Sequence, residues 1–235
     1  MRYAILAAGE GARLAQEGID VPKPLVRVGG EPLVDRLLRI FVAVGASEIV
    51  VVCNDLTDHV QHHLRQRAAK LPFPLHVVVQ TTPSSMHSLY ALSPCLQDEP
   101  FVLTTVDTVF RESEFAAYVD AFQRLLASGE ADGLMGVTDY IDDEKPLYVS
   151  VDDDRRIRAF LDSDAHPHYV SAGIYGLTPA ALLTLQACIA RGDSRMRNFQ
   201  RALLSDGLRL QAFPFTHVLD IDHAGDVEKA EQFLR

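Results

Sequence analysis

Only three cysteines occur in the chain, Cys53, Cys95 and Cys188, and their wide spacing gives neither a disulfide framework nor a set of metal ligands. Free thiols in a reducing cytosol are the simplest reading. No apolar run approaches the length needed to cross a bilayer. The apolar segment at residues 3–8 is too short for the hydrophobic part of a signal peptide, so a cytoplasmic location without membrane contact is expected. A basic stripe is missing as well. With 22 lysines and arginines against 32 aspartates and glutamates the net charge is −10, which argues against a nucleic-acid partner. Repeats, low-complexity segments and an obvious linker are absent. An acidic protein of this kind that handles phosphates must do so locally, with a few placed cations and a metal.

At 235 residues, with 48% hydrophobic and 23% charged residues, the chain reads as one large globular domain over 1–235. Apolar, strand-like runs at 3–7, 48–53, 75–79 and 101–105 alternate with helical patterns at 32–44, 57–70 and 85–92. The uninterrupted apolar runs at 49–52 and 101–103 suit a parallel sheet covered on both faces. This alternation predicts right-handed βαβ units in an α/β fold. In such sheets ligands gather at the carboxyl ends of the strands. Gly9, Gln80 and Asp107 each follow a predicted strand. The second half is more mixed. It predicts a helix over 113–126, a strand over 133–137 and a hairpin of 147–151 with 156–160 about a turn at Asp152-Asp-Asp-Arg155. A strand over 170–177, helices over 179–190 and 196–204, a strand over 208–213 and a last helix over 225–234 follow.

The densest chemical signal lies in the first 25 residues. A strand runs into Leu6-Ala7-Ala8-Gly9-Glu10-Gly11-Ala12-Arg13-Leu14, and Pro22-Lys23-Pro24-Leu25 follows. Glycine lets backbone approach a ligand, and successive free amides in such a loop form an anion-binding concavity. Arg13 adds a planar fork of donors suited to phosphate oxygens. Lys23 stands between two prolines that stiffen the chain around it. A strand, a glycine loop, an arginine and a rigid lysine make a triphosphate grip. The pattern is neither a Walker loop, since no Gly-Lys-Ser/Thr follows, nor the dinucleotide fingerprint, since Leu14 stands where a third glycine belongs.

Two acidic segments complete the reading. Asp107 falls just past the strand at 101–105, where it serves either as an Asx turn or as a magnesium ligand. In Asp220-Ile221-Asp222 the period-two spacing puts both carboxylates on one side of an extended segment. The alternative there is helix entry, with Asp222 as a cap and Asp226 favouring the helix dipole. His59 and His63, four apart on a predicted helix, lack a third ligand and read as a solvated face. His166 and His168 sit in a polar loop without an assignable role.

The combined pattern, Leu6-Ala-Ala-Gly-x-Gly-x-Arg-Leu14 with Pro22-Lys-Pro-Leu25, resembles the signature of the nucleotidyltransferases that make nucleotide sugars, the sugar-nucleotide pyrophosphorylases and their relatives. The resemblance implies a Rossmann-like, mixed but mainly parallel sheet flanked by helices, with a small acceptor-side β subregion. A nucleotide-binding half would span 1–110 and an acceptor-binding half 111–235. Its implied partners are a nucleoside triphosphate and a phosphorylated small-molecule acceptor, with Mg2+ as cofactor. It implies catalytic roles for Arg13 and Lys23, nucleotide contacts from Leu6 to Ala12, and metal ligation by Asp107 with Asp220 or Asp222. By the same resemblance Gln80 and Ser85 touch the nucleobase, and Gly173, in Val170-Ser-Ala-Gly-Ile-Tyr-Gly176, lets the acceptor ring approach the backbone. Without the family, Ser84 or Ser85 is a helix cap and Gly173 a packing glycine.

Two departures stand out. The segment Ser84-Ser-Met-His-Ser88 replaces the Gly-Thr or Asp-Gly of many sugar-specific relatives, and leans toward the branch that activates phosphocholine or less common sugar phosphates. Glu144-Lys145-Pro146 spells a tripeptide whose lysine contacts the sugar phosphate in many relatives, but it precedes the hairpin instead of following it. The equivalent place reads Phe160-Leu-Asp-Ser-Asp164, without a lysine, so Lys145 reads as a solvated turn. The expected reaction is nucleotidyl transfer to a phosphorylated acceptor, a sugar 1-phosphate first among the candidates. A phosphocholine-type cytidylyltransferase and a non-catalytic nucleotide-sugar-binding protein of the same fold are the alternatives.

Overall fold

The structure, a computed structural model, describes residues 1–56, 58–142, 145–163 and 168–235. The expected helix start at Thr57, the Glu144 of the tripeptide, Asp164 and His166 lie outside the described residues. The chain opens with β1 (Arg2–Ala7), a one-turn α1 (Ala12–Gln16), a tight hairpin of β2 (Arg27–Val28) and β3 (Glu31–Pro32), and α2 (Leu33–Ala43). Next come β4 (Glu48–Cys53), α3 (Asp58–Ala68), β5 (Leu75–Val79), α4 (Ser85–Leu92), β6 (Phe101–Thr105), β7 (Thr108–Val109) and α5 (Glu112–Ser128). The remainder runs β8 (Gly133–Thr138), β9 (Tyr148–Val151), β10 (Ile157–Leu161), β11 (Tyr169–Leu177), α6 (Ala181–Arg191), α7 (Met196–Ser205), β12 (Leu210–Phe215), β13 (Leu219–Asp220) and α8 (Ala224–Leu234).

The main sheet runs β5-β4-β1-β6-β11-β8-β12, with β9 and β10 attached at the N-terminal half of β11. Strands β5, β4, β1 and β6 are parallel neighbours, as are β8 and β12; β11 alone in that row runs the other way. Period-two alternation sends Tyr3, Ile5 and Ala7 of β1 into one core and Ala4 and Leu6 into the other. The first core is closed by α2, α3, α5 and α8, the second by α4, α6 and α7. A sheet so covered needs apolar residues on both faces, which is why β1 and β4 read as unbroken hydrophobic runs.

Two differences from the sequence reading have clear causes. The strand expected at 208–213 lies at Leu210–Phe215, because the Arg209 amide is taken by the Asp132 carboxylate at 2.9 Å and the pairing with β8 begins at Leu210. Pro214 is tolerated because β12 pairs along its length with β8 alone; among the described residues its outer side is bridged only at Gln211 and Ala212, by Arg156 and Arg155, and those bonds do not involve position 214. The β7–β13 ribbon has no signature at all at two residues per strand. It pairs Asp220 with Thr108 and Leu219 with Val109, and the Ile221 amide donates to the Asp107 carbonyl at 3.2 Å. That ribbon brings the 220–222 segment to the carboxyl end of β6.

Candidate active site

Beyond β1 the chain turns through Gly9 and Gly11 into α1. Gly11 has φ +68, a left-handed conformation that L side chains rarely adopt, and no side chain caps the helix it opens. A Cβ there would stand 3.1 Å from the Cβ of Lys23. Glycine is therefore demanded twice, by the turn and by the close passage of the lysine. Lys23 begins a single 3-10 turn, Lys23–Leu25, where Pro22 supplies the extended approach and the Leu25 amide bonds the Pro22 carbonyl at 2.8 Å. The lysine is nearly buried, and its ammonium enters the space between two carboxylates. It pairs with Asp107 and lies 2.6 Å from Asp222 Oδ1. Burial alone would lower the Lys23 pKa, but the charges of Asp107 and Asp222 outweigh it and push it up to about 12. The lysine stays an ammonium at any physiological pH.

Arg13 Nη1 reaches Asp222 Oδ2 at 3.4 Å from the solvent side. Partial burial would raise the Asp222 pKa; the Lys23 hydrogen bond, the Lys23 charge and Arg13 reverse that and hold it below the usual carboxylate range. Asp220 behaves oppositely. Although Asp220 is exposed to solvent, the neighbouring protein and then the charges of Asp107 and Asp222 push its pKa above the usual carboxylate range. Asp222 does not cap α8. His223 and Asp226 share that task, with Asp226 Oδ2 accepting from the His223 amide at 2.8 Å. Glu17, just past α1, accepts from the Ala224 amide at 2.7 Å and pairs with His223, which ties the helix start to the glycine loop. Glu17 carries no motif, and its role is visible only in three dimensions.

Two clefts meet at this point. One, about 590 Å3, is lined by Leu6, Ala8, Gly9, Glu10, Gly11, Ala12 and Arg13, by Lys23, Asp107 and Asp222, and by Thr81 to Ser85 with Ser88. The other, about 450 Å3, has Asp220, Thr138, Tyr140, Ser171 and Arg197 on its walls. Arg13 and Asp222 belong to both. Ala7 faces the core instead, and Gln80 lies outside the first cleft, where Thr81 and Thr82 take the wall. Ser84 is the α4 cap, and both it and Ser85 line the cleft. Gly173 lines neither cleft. It sits at φ +70 where the β11–β8 register breaks, 3.4 Å from Thr108 Oγ1 as measured from an added Cβ. Lys145 is exposed and stands on the second cleft. Tyr140, Arg197 and Thr82 have no linear signature and were not legible in the sequence.

The carboxylates of Asp107, Asp220 and Asp222 are hard oxygen donors around one crevice, which suits a divalent cation that takes one or two carboxylates and completes its shell with phosphate and water. Among the described residues no group of three or more His, Cys, Asp or Glu is arranged to hold a metal ion, so the protein would supply at most two carboxylates. His59 and His63 are not drawn toward such a centre; His63 pairs with Asp35 at 2.7 Å.

Comparison with known proteins agrees with this geometry. Residues 3–205 match the family described as the MobA-like NTP transferase domain. The bifunctional IPC transferase and DIPP synthase of Archaeoglobus fulgidus is 26% identical over 243 residues, covering all of this chain and 44% of that protein. The UTP–glucose-1-phosphate uridylyltransferase AglF of Haloferax volcanii is 27% identical over 245 residues, covering all of this chain and 97% of that protein. The chain spans less than half the length of the first curated relatives it matches. In fold it superposes on the inositol-1-phosphate CTP transferase from T. maritima with a TM-score of 0.78 and 20% identity, over all of this chain and 97% of that one.

Proposed function

The chain belongs to the MobA-like NTP transferase domain family, and we propose that it transfers a nucleoside monophosphate from a nucleoside triphosphate to the phosphate of a small cyclic polyol, a sugar 1-phosphate or an inositol phosphate. The observation that carries this reading is the shared wall of the two clefts. Arg13 and Asp222 face both, so two phosphorylated ligands seated in them would meet beside Lys23. The names of the relatives support the acceptor class, since both glucose 1-phosphate and inositol 1-phosphate appear among them.

In this reaction an oxygen of the acceptor phosphate attacks the α-phosphorus of the triphosphate. The bond from that phosphorus to the bridging oxygen of the β-phosphate breaks, and pyrophosphate leaves. The acceptor phosphate is already an anionic nucleophile, so no covalent enzyme intermediate is required. The protein's work is positioning and charge neutralisation. Amides of residues 9–12 cradle the triphosphate, and Arg13 neutralises the departing pyrophosphate. Lys23, buried and fixed by Pro22 and Pro24, bridges the α-phosphate and the acceptor phosphate. Ser85 stands as a base contact from the wall of the first cleft; Gln80 and Gly173 line neither cleft, and the roles expected of them have no wall position to act from. Magnesium held by Asp107 with Asp220 or Asp222 would supply further neutralisation of phosphate charge.

A pyrophosphate-release assay over the common triphosphates and a set of polyol 1-phosphates tests the proposal. Release that needs both substrates supports it. Tight nucleotide binding with no release under any pairing would make the protein a sensor and overturn it.

A further inference from the structure

A third recess continues the row. About 640 Å3 and open to solvent, it shares Lys145, Pro146 and Arg197 with the acceptor-side cleft, whereas Arg13 and Asp222 line that cleft but not this recess. Among the described residues its walls carry Lys145, Arg195, Arg197 and Arg201 against one carboxylate, Asp162. That is an excess of positive charge in a protein whose net charge is −10.

The arginines are oriented, not loose. Arg197 donates to Asp162 Oδ1 at 2.6 Å and to the Lys145 carbonyl at 2.9 Å. Arg201 pairs with the same Asp162 oxygen at 2.7 Å and donates from Nε to the Phe160 carbonyl at 3.0 Å. One carboxylate thus aligns two guanidinium groups between the end of β10 and the face of α7. Arg195, just before α7, is exposed and has no carboxylate partner among the described residues. Guanidinium forks match the planar oxygens of carboxylates and phosphates, and several on one wall recognise an anion better than they recognise a neutral hydroxyl.

We propose that this recess is a second anion subsite, which selects acceptors bearing an acidic group, a carboxylate or a phosphate, on the part of the molecule remote from the reacting phosphate. The proposal rests on the acceptor occupying the cleft between Asp222 and Arg197, as in the function proposed above. An acceptor lying there has its reacting phosphate at the Arg13–Asp222 end and its far side at the arginines. A neutral sugar would leave the guanidinium groups in water. A doubly anionic one would add charge-assisted bonds to them.

Direct binding separates this claim from the catalytic one. Titration calorimetry would compare glucose 1-phosphate, glucose 1,6-bisphosphate and glucuronic acid 1-phosphate on the intact chain, on Arg195→Gln and on Arg124→Gln. The last removes the same charge from α5, on the other side of the sheet. The expected result is that at least one doubly anionic ligand binds about tenfold more tightly than glucose 1-phosphate, the scale of one charge-assisted hydrogen bond. Arg195→Gln should remove most of that preference and leave the glucose 1-phosphate affinity within about twofold, the scatter expected of an exposed side chain that does not touch that ligand. Arg124→Gln should keep the preference. Equal binding of all three ligands, binding of none, or an equal loss for all three in Arg195→Gln overturns the subsite. Selective binding without pyrophosphate release in the presence of triphosphates would uphold the subsite and sink nucleotidyl transfer alone.

Discussion

Lys23 Nζ lies 2.6 Å from Asp222 Oδ1, a contact between residues 199 positions apart. It closes the crevice between the glycine loop and the start of α8, and Asp107 holds the same ammonium from the β6 side. Removing the ammonium leaves Asp107 and Asp222 facing each other with Asp220 close by. Lys23→Ala is expected to lower turnover roughly a hundredfold or more, on the scale of losing one electrostatic stabiliser. It should also destabilise the fold by on the order of 1–3 kcal/mol, less than for a fully buried pair because Asp222 retains solvent. Turnover together with urea unfolding measures both, and a folded variant with near-normal turnover would remove Lys23 from the chemistry.

Arg13 separates the two effects. Its side chain is 59% exposed and touches Asp222 only at 3.4 Å, so the fold does not depend on it. Arg13→Ala is expected to keep the wild-type unfolding midpoint and to lose roughly a hundredfold in turnover. Steady-state kinetics on the folded variant decides the point; unchanged turnover would limit Arg13 to a surface role.

At Gly11 the strain and the steric demand combine. Gly11→Ala places an L residue at φ +68, which costs about 1–2 kcal/mol, and sets a methyl group 3.1 Å from the Lys23 Cβ. The lysine must shift to make room. A loss of turnover larger than the loss of stability would imply is expected, and equal losses would show that the loop matters only for folding.

Much of this was legible in the sequence. The helices after α1 follow from apolar periodicity, and the inner strands of the main sheet from unbroken apolar runs, because burial on both faces demands them; β1 and β4 are the clearest cases. The glycine loop, Arg13, Lys23 and the acidic pairs were legible because each requires a particular residue type at a particular spacing. The joining devices were not. The β7–β13 ribbon is two residues per strand, Glu17 is one glutamate among many, and the arginines of the third recess lie on a helix face where charge ordinarily means solvent. Gln80 shows the reverse limit. It follows β5 as expected and its amide still pairs with the Cys53 carbonyl at 2.8 Å, but Thr81 and Thr82, not Gln80, line the wall of the cleft.

Acid sensitivity should arise partly far from the site. Asp132 accepts from Arg209 at its amide, Nε and Nη2 at 2.9, 3.1 and 3.0 Å, and the Arg209 guanidinium holds its pKa below the usual carboxylate range. A depressed folded pKa contributes stability that is complete above the unfolded value, about 3.9, and is lost as pH falls through the folded value. Asp132→Asn should therefore be less stable than the wild type near neutrality. The gap should narrow as urea midpoints are taken from about pH 6 to about pH 3. A gap that widened with acid would contradict the pairing.

The central claim is that an acceptor phosphate attacks the α-phosphorus of a triphosphate where the two clefts meet. Acceptor phosphate labelled with 18O in all of its oxygens, followed by phosphorus NMR and mass spectrometry of both products, tests it most directly. The account predicts 18O at the bridge of the new diphosphate and none in the pyrophosphate. Label in the pyrophosphate, or an unlabelled bridge, would contradict it.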